Sequence, residues 1–454
     1  MASDRRDQAV HAAVAQGLLS EEQPVVALLD AGGIRASATA LREAFAAVTD
    51  APVLHAFAVK AAPLVPVLAL LRAEGLGAEA ASPGELALAR AAGVPAAHTV
   101  LDSPAKTLGE LREALALGVA LNADNLQELA RLDTLVPRQA NDPGSPVPPI
   151  GLRINPQLGA GSIGALSTAT ATSKFGVGLR DEGARDRIAE AVLDRPWLTR
   201  LHTHTGSQGI PLPLMAQGVR AVWELAEEIN AAAGRRRIDT LDIGGGLPVN
   251  FASDEHTPSF AAYARLLKEE APGLFDGGYG LVTEFGRALL AKHGTILSRV
   301  EYAKTTGGRP IAVTHAGVQV ATRTVYDPES WPLRIRAYDA EGRPKPGPAV
   351  EQDIAGPACF AGDLLAEARP LPLLEPGDVI AALDTGAYYF SSPYGYNSLP
   401  RPAVHGFTTA SASAASAADG DGDGPVRFTT VRRAQRPDEI VAESGGAYAG
   451  ALLR

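Results

Sequence analysis

Lys60 is one of only seven lysines in the chain, and it ends the run HAFAVK (55–60) among small and apolar residues. A lysine at a strand end is ordinarily a solvated charge. Here the flanks are apolar and other polar residues converge on the same end, and a confined amine with a depressed pKa is what Schiff-base chemistry requires. Two later stretches can cradle an anion. DIGGG (242–246) brings Gly244, Gly245 and Gly246 behind an expected strand, where bare backbone N–H groups can approach a phosphate. Triple glycine alone is more often a plain loop. HTGSQ (204–208) adds the Ser207 hydroxyl as a donor to the same phosphate. An amine with two phosphate-type loops points to pyridoxal phosphate, which needs a partner for its aldehyde and a cradle for its anion.

Glu284, in VTEFGR, is the most diagnostic acid. Its plain reading is a barrel-mouth carboxylate paired with Arg287. Its functional reading is a partner for the pyridine nitrogen, which keeps that nitrogen protonated and suits carbanion chemistry such as decarboxylation. His202 and His204 form an HxH pair, which on one strand face can chelate a metal. The later strand ends offer only Asp242 and Glu284 and no further histidine, so no metal is expected. His204 reads as a ring that stacks on a planar cofactor, and His202 as a satisfied core histidine. Cys359, the only cysteine, lies in GPACFAGD (356–363); a lone cysteine is usually a small buried hydrophobe, but the glycine, proline and Asp363 around it read as an exposed turn. DTGAYYFSSPYGYN (384–397) carries five aromatics among small residues, and its Tyr388 fits a ligand-lining loop.

These residues need elements to hold them. β-rich runs occur at 52–60, 75–81, 98–102, 118–124, 149–156, 198–206, 238–246 and 279–286, with amphipathic stretches such as SPGELALARAAG and KTLGELREALALG between them. Ser82, Pro83 and Glu85 are helix-start chemistry and Gly93 is a stop. Eight such units predict an α/β fold, a (β/α)8 barrel, whose catalytic residues sit at the C-terminal ends of strands. Those ends carry Lys60, Glu79, Arg153, His204, Gly244 to Gly246 and Glu284. After residue 290 strand-like runs with Pro/Gly punctuation predict a mostly-β C-terminal domain, which the run 24–30 can join. The expected bounds are 35–290 for the barrel, with 1–34 and 291–454 forming the β domain. Residues 138–149 and 408–425 read as a Pro-rich loop and as a low-complexity disordered segment or hairpin tip.

Net charge is −10 with no basic block, which argues against nucleic acid and anionic membranes as partners. No apolar run approaches the roughly 18–20 residues of a membrane span. The charged N-terminus is not signal-like, and a single cysteine forms no intrachain disulfide, so the expected location is cytoplasmic.

The ordered series AVK, SPGEL, LRINP, SKFGV, HTGSQ, DIGGG, EFGR, GPACFAGD and DTGAY…YN resembles the alanine-racemase-fold pyridoxal-phosphate decarboxylases, among them diaminopimelate and ornithine decarboxylases. The TEFGR form is similar to a divergent decarboxylase-like branch. The resemblance runs from about Val25 to Pro402. It implies that Lys60 carries the cofactor as a Schiff base, that His204 stacks on its ring and that Glu284 pairs with its nitrogen. It implies that Ser207, Gly244 to Gly246, Gly286, Arg287 and Tyr388 hold the phosphate or the site around it, with Glu79 and Arg153 as rim support. It further implies a homodimer with composite sites, in which Cys359 reaches the neighbouring subunit and protonates the carbanion. Substrate contacts are expected from Arg287, Arg323, Tyr326, Phe360, Asp363 and Tyr388. Three departures bear on the substrate. Phe360 stands where diaminopimelate decarboxylases have an acid for the distal amine, EFGR replaces EPGR, and TRTVY (322–326) is spaced differently from their RPxxY-like element. The expected function is decarboxylation of a small-molecule amino acid other than standard diaminopimelate. The rivals are a racemase or epimerase, which Glu284 and the cysteine loop oppose, and a non-catalytic regulatory homologue, which retention of Lys60 and Cys359 opposes.

Overall fold

The structure is a computed structural model that describes residues 2–136, 147–409 and 426–453. Segment 410–425, most of the low-complexity stretch, and residues 138–146 of the Pro-rich loop lie outside the described residues.

The chain divides into two compact units, one formed by Arg35–Asn250 with His256–Leu289 and the other by Met1–Ile34, Phe251–Glu255 and Leu290–Arg454. The first is a closed barrel. Its strands are β1 (Val53–Ala58), β2 (Gly77–Ala80), β3 (Thr99–Asp102), β4 (Ala120–Ala123), β5 (Ile150–Asn155), β6 (Leu198–His202), β7 (Thr240–Asp242) and β8 (Gly280–Thr283). All neighbours pair in parallel, β8 returns to β1, and β4 pairs with β5, so no edge is left. Strands covered on both faces are buried at nearly every position, as β2 to β5 are. Leu54, Ala56, Val100, Ala120 and Val282 pack together as one apolar layer inside. The helices begin and end on the expected signals. Ser82 accepts the Glu85 N–H ahead of helix Pro83–Ala91, and Thr107 with Glu110 forms a capping box on helix Leu108–Leu117, which Gly118 closes in the left-handed conformation.

The second unit is built on a nine-stranded, mostly antiparallel sheet. Strand Val25–Asp30 joins it, antiparallel to Gly294–Thr306 and parallel to Ala403–Thr409. Strands Ala403–Thr409 and Val426–Arg432 pair as an antiparallel ladder in which Thr409 faces Val426. Val10, Val26, Leu28, Leu297, Tyr338 and Phe407 belong to its core, so the N-terminal helix Ala2–Ala15 is packed on the sheet.

Candidate active site

Each of the eight strands carries a residue of the site in its last residues or just beyond them. β1 passes into a single helical turn, Val59–Ala61, that carries Lys60. Its ammonium forms an ion pair with Glu79 at the end of β2. The Lys60 side chain is 42% exposed and Glu79 is fully buried, so the amine is reachable while its counter-ion is not. Burial outweighs the neighbouring Lys60 charge and raises the Glu79 carboxyl above its ordinary range.

The anion-type loops follow β6 and β7. Beyond His202 the chain leaves the strand; Gly206 adopts φ 148 and Ser207 comes to the rim, where its hydroxyl accepts a hydrogen bond from Arg287 Nη2 at 3.4 Å. A Cβ on Gly246, whose φ is 94, would fall 1.8 Å from the Gly206 carbonyl oxygen, and one on Gly245 would fall 2.1 Å from that of Glu284. Only glycine permits this approach of three backbone segments. The Gly245 N–H donates to His204 Nδ1 at 3.1 Å, which fixes that nitrogen as an acceptor and leaves any ring proton on Nε2. Burial first, then Arg153 and Lys60, hold His204 well below the usual histidine range, so the ring is neutral.

Behind these residues lies a buried charge network. Arg153 on β5 donates to Asp102 Oδ2 at 3.2 Å and stacks on Phe175, its guanidinium carbon 4.4 Å from the ring centre. Burial alone would raise the Asp102 carboxyl, but His202, Arg153, Lys106 and Lys60 together hold it below the ordinary range. Asn122 at β4 donates to Asp242 Oδ2 at 2.9 Å, and the Gly244 N–H donates to Oδ1 at 3.1 Å. Burial and then the Glu284 charge push Asp242 up to about 7. Glu284, just past β8, is held by its own N–H on the Gly244 carbonyl at 2.7 Å. Its Oε1 is buried without a hydrogen-bond partner. Burial, Glu79 and Asp102 raise it well above the usual carboxylate range. Gly286 closes the turn, where a Cβ would meet Ala61 at 2.8 Å and Ala58 at 3.0 Å.

The second unit gathers the remaining expected residues. Cys359 is exposed, and its N–H donates to Asn397 Oδ1 at 2.8 Å. Asp363 is buried and accepts the N–H groups of Val318 and Ala358, each at 2.6 Å. Both of its oxygens tie the cysteine loop to helix Val318–Tyr326, so this carboxylate organises the loop. Phe360 and Tyr326 stack with ring centres 5.9 Å apart, and Tyr394 and Tyr396 pack edge-on against them. The Arg323 guanidinium lies over Trp331 at 4.9 Å and over Tyr388 at 4.6 Å. Tyr388 takes the left-handed φ of 65, as Asp384 (61) and Asn397 (55) do, so this aromatic segment holds several side chains in a sparsely populated conformation.

The barrel therefore brings together Lys60, Glu79, Arg153, His204, Ser207, Gly244 to Gly246, Glu284, Gly286 and Arg287. The β unit brings together Arg323, Tyr326, Cys359, Phe360, Asp363 and Tyr388. Asp102, Asn122 and Phe175 were not singled out by sequence reasoning, although Asp102 closes the run HTVLD and Asn122 lies next to the end of its strand. His202 is buried as expected, but neither ring nitrogen has a hydrogen-bond partner, which corrects the reading of a satisfied core histidine.

Residues 31–291 match the family model of the pyridoxal-dependent decarboxylase, pyridoxal binding domain. The chain is 34% identical over 359 residues to diaminopimelate decarboxylase of Pseudomonas aeruginosa, covering 79% of this chain and 82% of that relative. It is 31% identical over 354 residues to diaminopimelate decarboxylase of Zymomonas mobilis, covering 76% and 79%. It superposes with TM-score 0.80 and 25% identity on a mutant diaminopimelate decarboxylase from Helicobacter pylori complexed with L-lysine, covering 95% of this chain and all of that one.

Proposed function

Because the chain belongs to the pyridoxal-dependent decarboxylases, we propose a division of labour among its residues for the removal of an amino acid's α-carboxylate. The protein is a pyridoxal-phosphate-dependent carboxy-lyase of a small-molecule amino acid. The residues present fit the cofactor: a reachable amine at Lys60, a glycine cradle that admits no Cβ, and a buried, unpartnered Glu284 oxygen. That oxygen is the observation that carries the reading, because a buried acceptor without a donor is costly unless a ligand supplies one. Bound pyridoxal phosphate supplies an aldehyde for covalent capture of an amine and an electron sink for the pair left when CO2 departs.

Lys60 holds the cofactor, and Glu79 positions its amine. Gly244 to Gly246, Ser207, Gly286 and Arg287 hold the phosphate region, with Tyr388 as a further contact. His204, neutral and fixed through Nδ1, presents its ring face. Arg153 and Asp102 form the rigid floor. Glu284 offers Oε1 to the pyridine nitrogen. The exposed thiol of Cys359 delivers a proton from Sγ to the carbon left by CO2, acting across a homodimer interface in a cytoplasmic enzyme. Arg323, Tyr326 and Phe360 meet the substrate side chain, while Asp363 holds their loop. Phe360 among three tyrosines, with the Asp363 carboxylate engaged by backbone, supports a side chain less cationic than that of diaminopimelate.

The test is an amino-acid panel that includes meso-diaminopimelate, lysine, ornithine and apolar and aromatic amino acids, read by CO2 release and chiral product analysis. Amine and CO2 are expected, with diaminopimelate a poor substrate. Inversion without CO2 would establish the racemase reading, and diaminopimelate as the best substrate would remove the argument from Phe360. Borohydride reduction followed by peptide mapping is expected to place the cofactor on Lys60; a label on another lysine overturns that assignment.

A further inference from the structure

His202 is a buried histidine of the barrel that stands between two acids. Its Nδ1 lies 3.7 Å from Asp102 Oδ1 and its Nε2 lies 3.5 Å from Glu284 Oε2. Both separations are just beyond hydrogen-bond length, and the ring is completely buried. Asp102 Oδ1, both ring nitrogens and Glu284 Oε1 are all buried without hydrogen-bond partners. Three of these atoms, Asp102 Oδ1 and the two ring nitrogens, lie along the Asp102–His202–Glu284 contact and the fourth is the outer oxygen of the same Glu284; each costs free energy unless some state of the protein uses it.

From this line we infer that His202 is a positioning residue for Glu284: Asp102 fixes the ring as its Nδ1–H tautomer, and Nε2 then serves as the acceptor for the Glu284 proton. The inference rests on the placement of Glu284 at the cofactor's ring nitrogen. The charges agree with it. His202 and then Arg153 lower Asp102 against its burial, Glu284 is raised well above the usual range, chiefly by burial, and burial lowers His202 despite the raising influence of Asp102 and Asp242. In the proposed cofactor-free state the line is carboxylate, neutral imidazole, carboxylic acid. Loading puts a protonated ring nitrogen beside Glu284 Oε1 and favours a carboxylate there. One proton then moves, from Glu284 Oε2 to His202 Nε2. The O–H bond breaks as the N–H bond forms. The imidazolium is balanced by Asp102 and the new carboxylate by the cofactor's ring. The other charges facing His202 are Asp242 from β7, Arg153 from β5 and Glu79 from β2, and none lies on the line itself.

The same three residues bring potential ligand atoms within 4.8 Å of one another, which raises a cation as the rival occupant. Asp102 addresses Nδ1 and Glu284 addresses Nε2, so one ion cannot use both close contacts, whereas a proton path can.

Histidine-15N NMR of the wild-type protein tests the inference directly, with the His202 signals identified by their loss in His202→Gln. The expected result is an Nδ1–H neutral ring without cofactor and a doubly protonated ring with pyridoxal phosphate bound. An Nε2–H tautomer, or no change on loading, overturns it. The second readout is His202→Gln itself, which fills the space and cannot become cationic. Its kcat is expected to fall about 10²-fold with KM and cofactor affinity within about threefold, and the pH titration of the bound cofactor's visible band is expected to shift. Wild-type kcat and an unshifted titration overturn the inference, as does a loss of cofactor affinity in proportion to the loss of rate. Glu284→Gln separates the two levels. If it leaves spectrum and turnover intact, the placement of Glu284 fails; if it is damaging and His202→Gln is silent, only the role of His202 fails.

Discussion

Glu284 and Asp242 are both buried carboxyls near the barrel mouth, and their predicted consequences differ. Glu284→Gln keeps size and burial but removes the charge, so turnover is expected to fall on the order of 10²-fold or more while cofactor affinity, set by the phosphate loops, changes little. Steady-state kinetics with a cofactor titration checks this, and near-normal turnover would be incompatible with the proposed role. Asp242 bears on stability. Its folded pKa of about 7 lies above the unfolded carboxylate value, so the neutral form is favoured in the fold. The stability it confers is complete below about pH 4 and is lost as pH rises to 7, to the extent of a few kcal/mol as an order of magnitude. Asp242→Asn removes that loss. Its amide can bond Asn122 Oδ1, which is buried without a partner, once the Asn122 amide turns over. Melting curves of the cofactor-free protein at pH 5 and pH 8 are expected to show a smaller pH-dependent drop in the variant, and an unchanged drop would remove Asp242 as its source. At this scale, residue type at a strand end made Lys60, His204 and Glu284 readable. The Asp102–Arg153 and Asn122–Asp242 pairs join residues 51 and 120 positions apart, and no local pattern announces such a pairing.

The elements were legible where periodicity and caps agree. All eight runs proposed as barrel strands contain one, and the helices at 83–91 and 108–117 carry the start signals read for them. Strand ends were less legible. The run 198–206 was read as a continuous strand, but the strand stops at His202 because the chain turns to build the loop that carries His204 and Ser207. Thr205 shows the exchange: its carbonyl accepts from Thr168 in a distant loop. The loop after β7 is the most constrained piece of backbone in the site. Gly246→Ala places a Cβ against the Gly206 carbonyl in a conformation that L side chains rarely adopt. The two loops must part, and cofactor affinity is expected to fall by about 10²-fold or more while far-ultraviolet dichroism is retained, since about 2–3 kcal/mol of backbone conflict falls on the cradle alone. Absorbance titration with pyridoxal phosphate measures this, and wild-type affinity would show that the cradle tolerates a side chain.

At the scale of the molecule, the proposed homodimer makes a stoichiometric prediction. Lys60→Ala and Cys359→Ala are each expected to be nearly inactive. When mixed and allowed to exchange subunits, half of the dimers become mixed, and both lesions of a mixed dimer fall in one site. Activity is expected to recover to about a quarter of wild type on symmetric pairing. Exchange demonstrated by mass without recovered activity would show that Cys359 does not act across the interface. The barrel and the β-rich second unit could be read from the sequence because the alternation of strand and helix stops near residue 290. What the sequence did not display is the detailed pairing order of the second sheet, since register there is set by neighbours far apart in the chain.

The position of strand Val25–Asp30 in that sheet has a consequence for how the protein is made. Its antiparallel neighbour begins at Gly294 and its parallel neighbour at Ala403, so this strand is made before the whole barrel and waits for the first partner until the barrel is complete and for the second until well after it. At about 5–20 residues per second the wait lasts on the order of tens of seconds. The barrel has its last strand by Thr283 and no comparable delay. During synthesis the newborn chain therefore carries an apolar, unpaired segment ahead of a barrel with all its strands. Ribosome-bound chains stalled before Gly294 is exposed are expected to be cut by protease near this segment while the barrel resists, and protection to arrive as strands Gly294–Thr306 and Ala403–Thr409 follow.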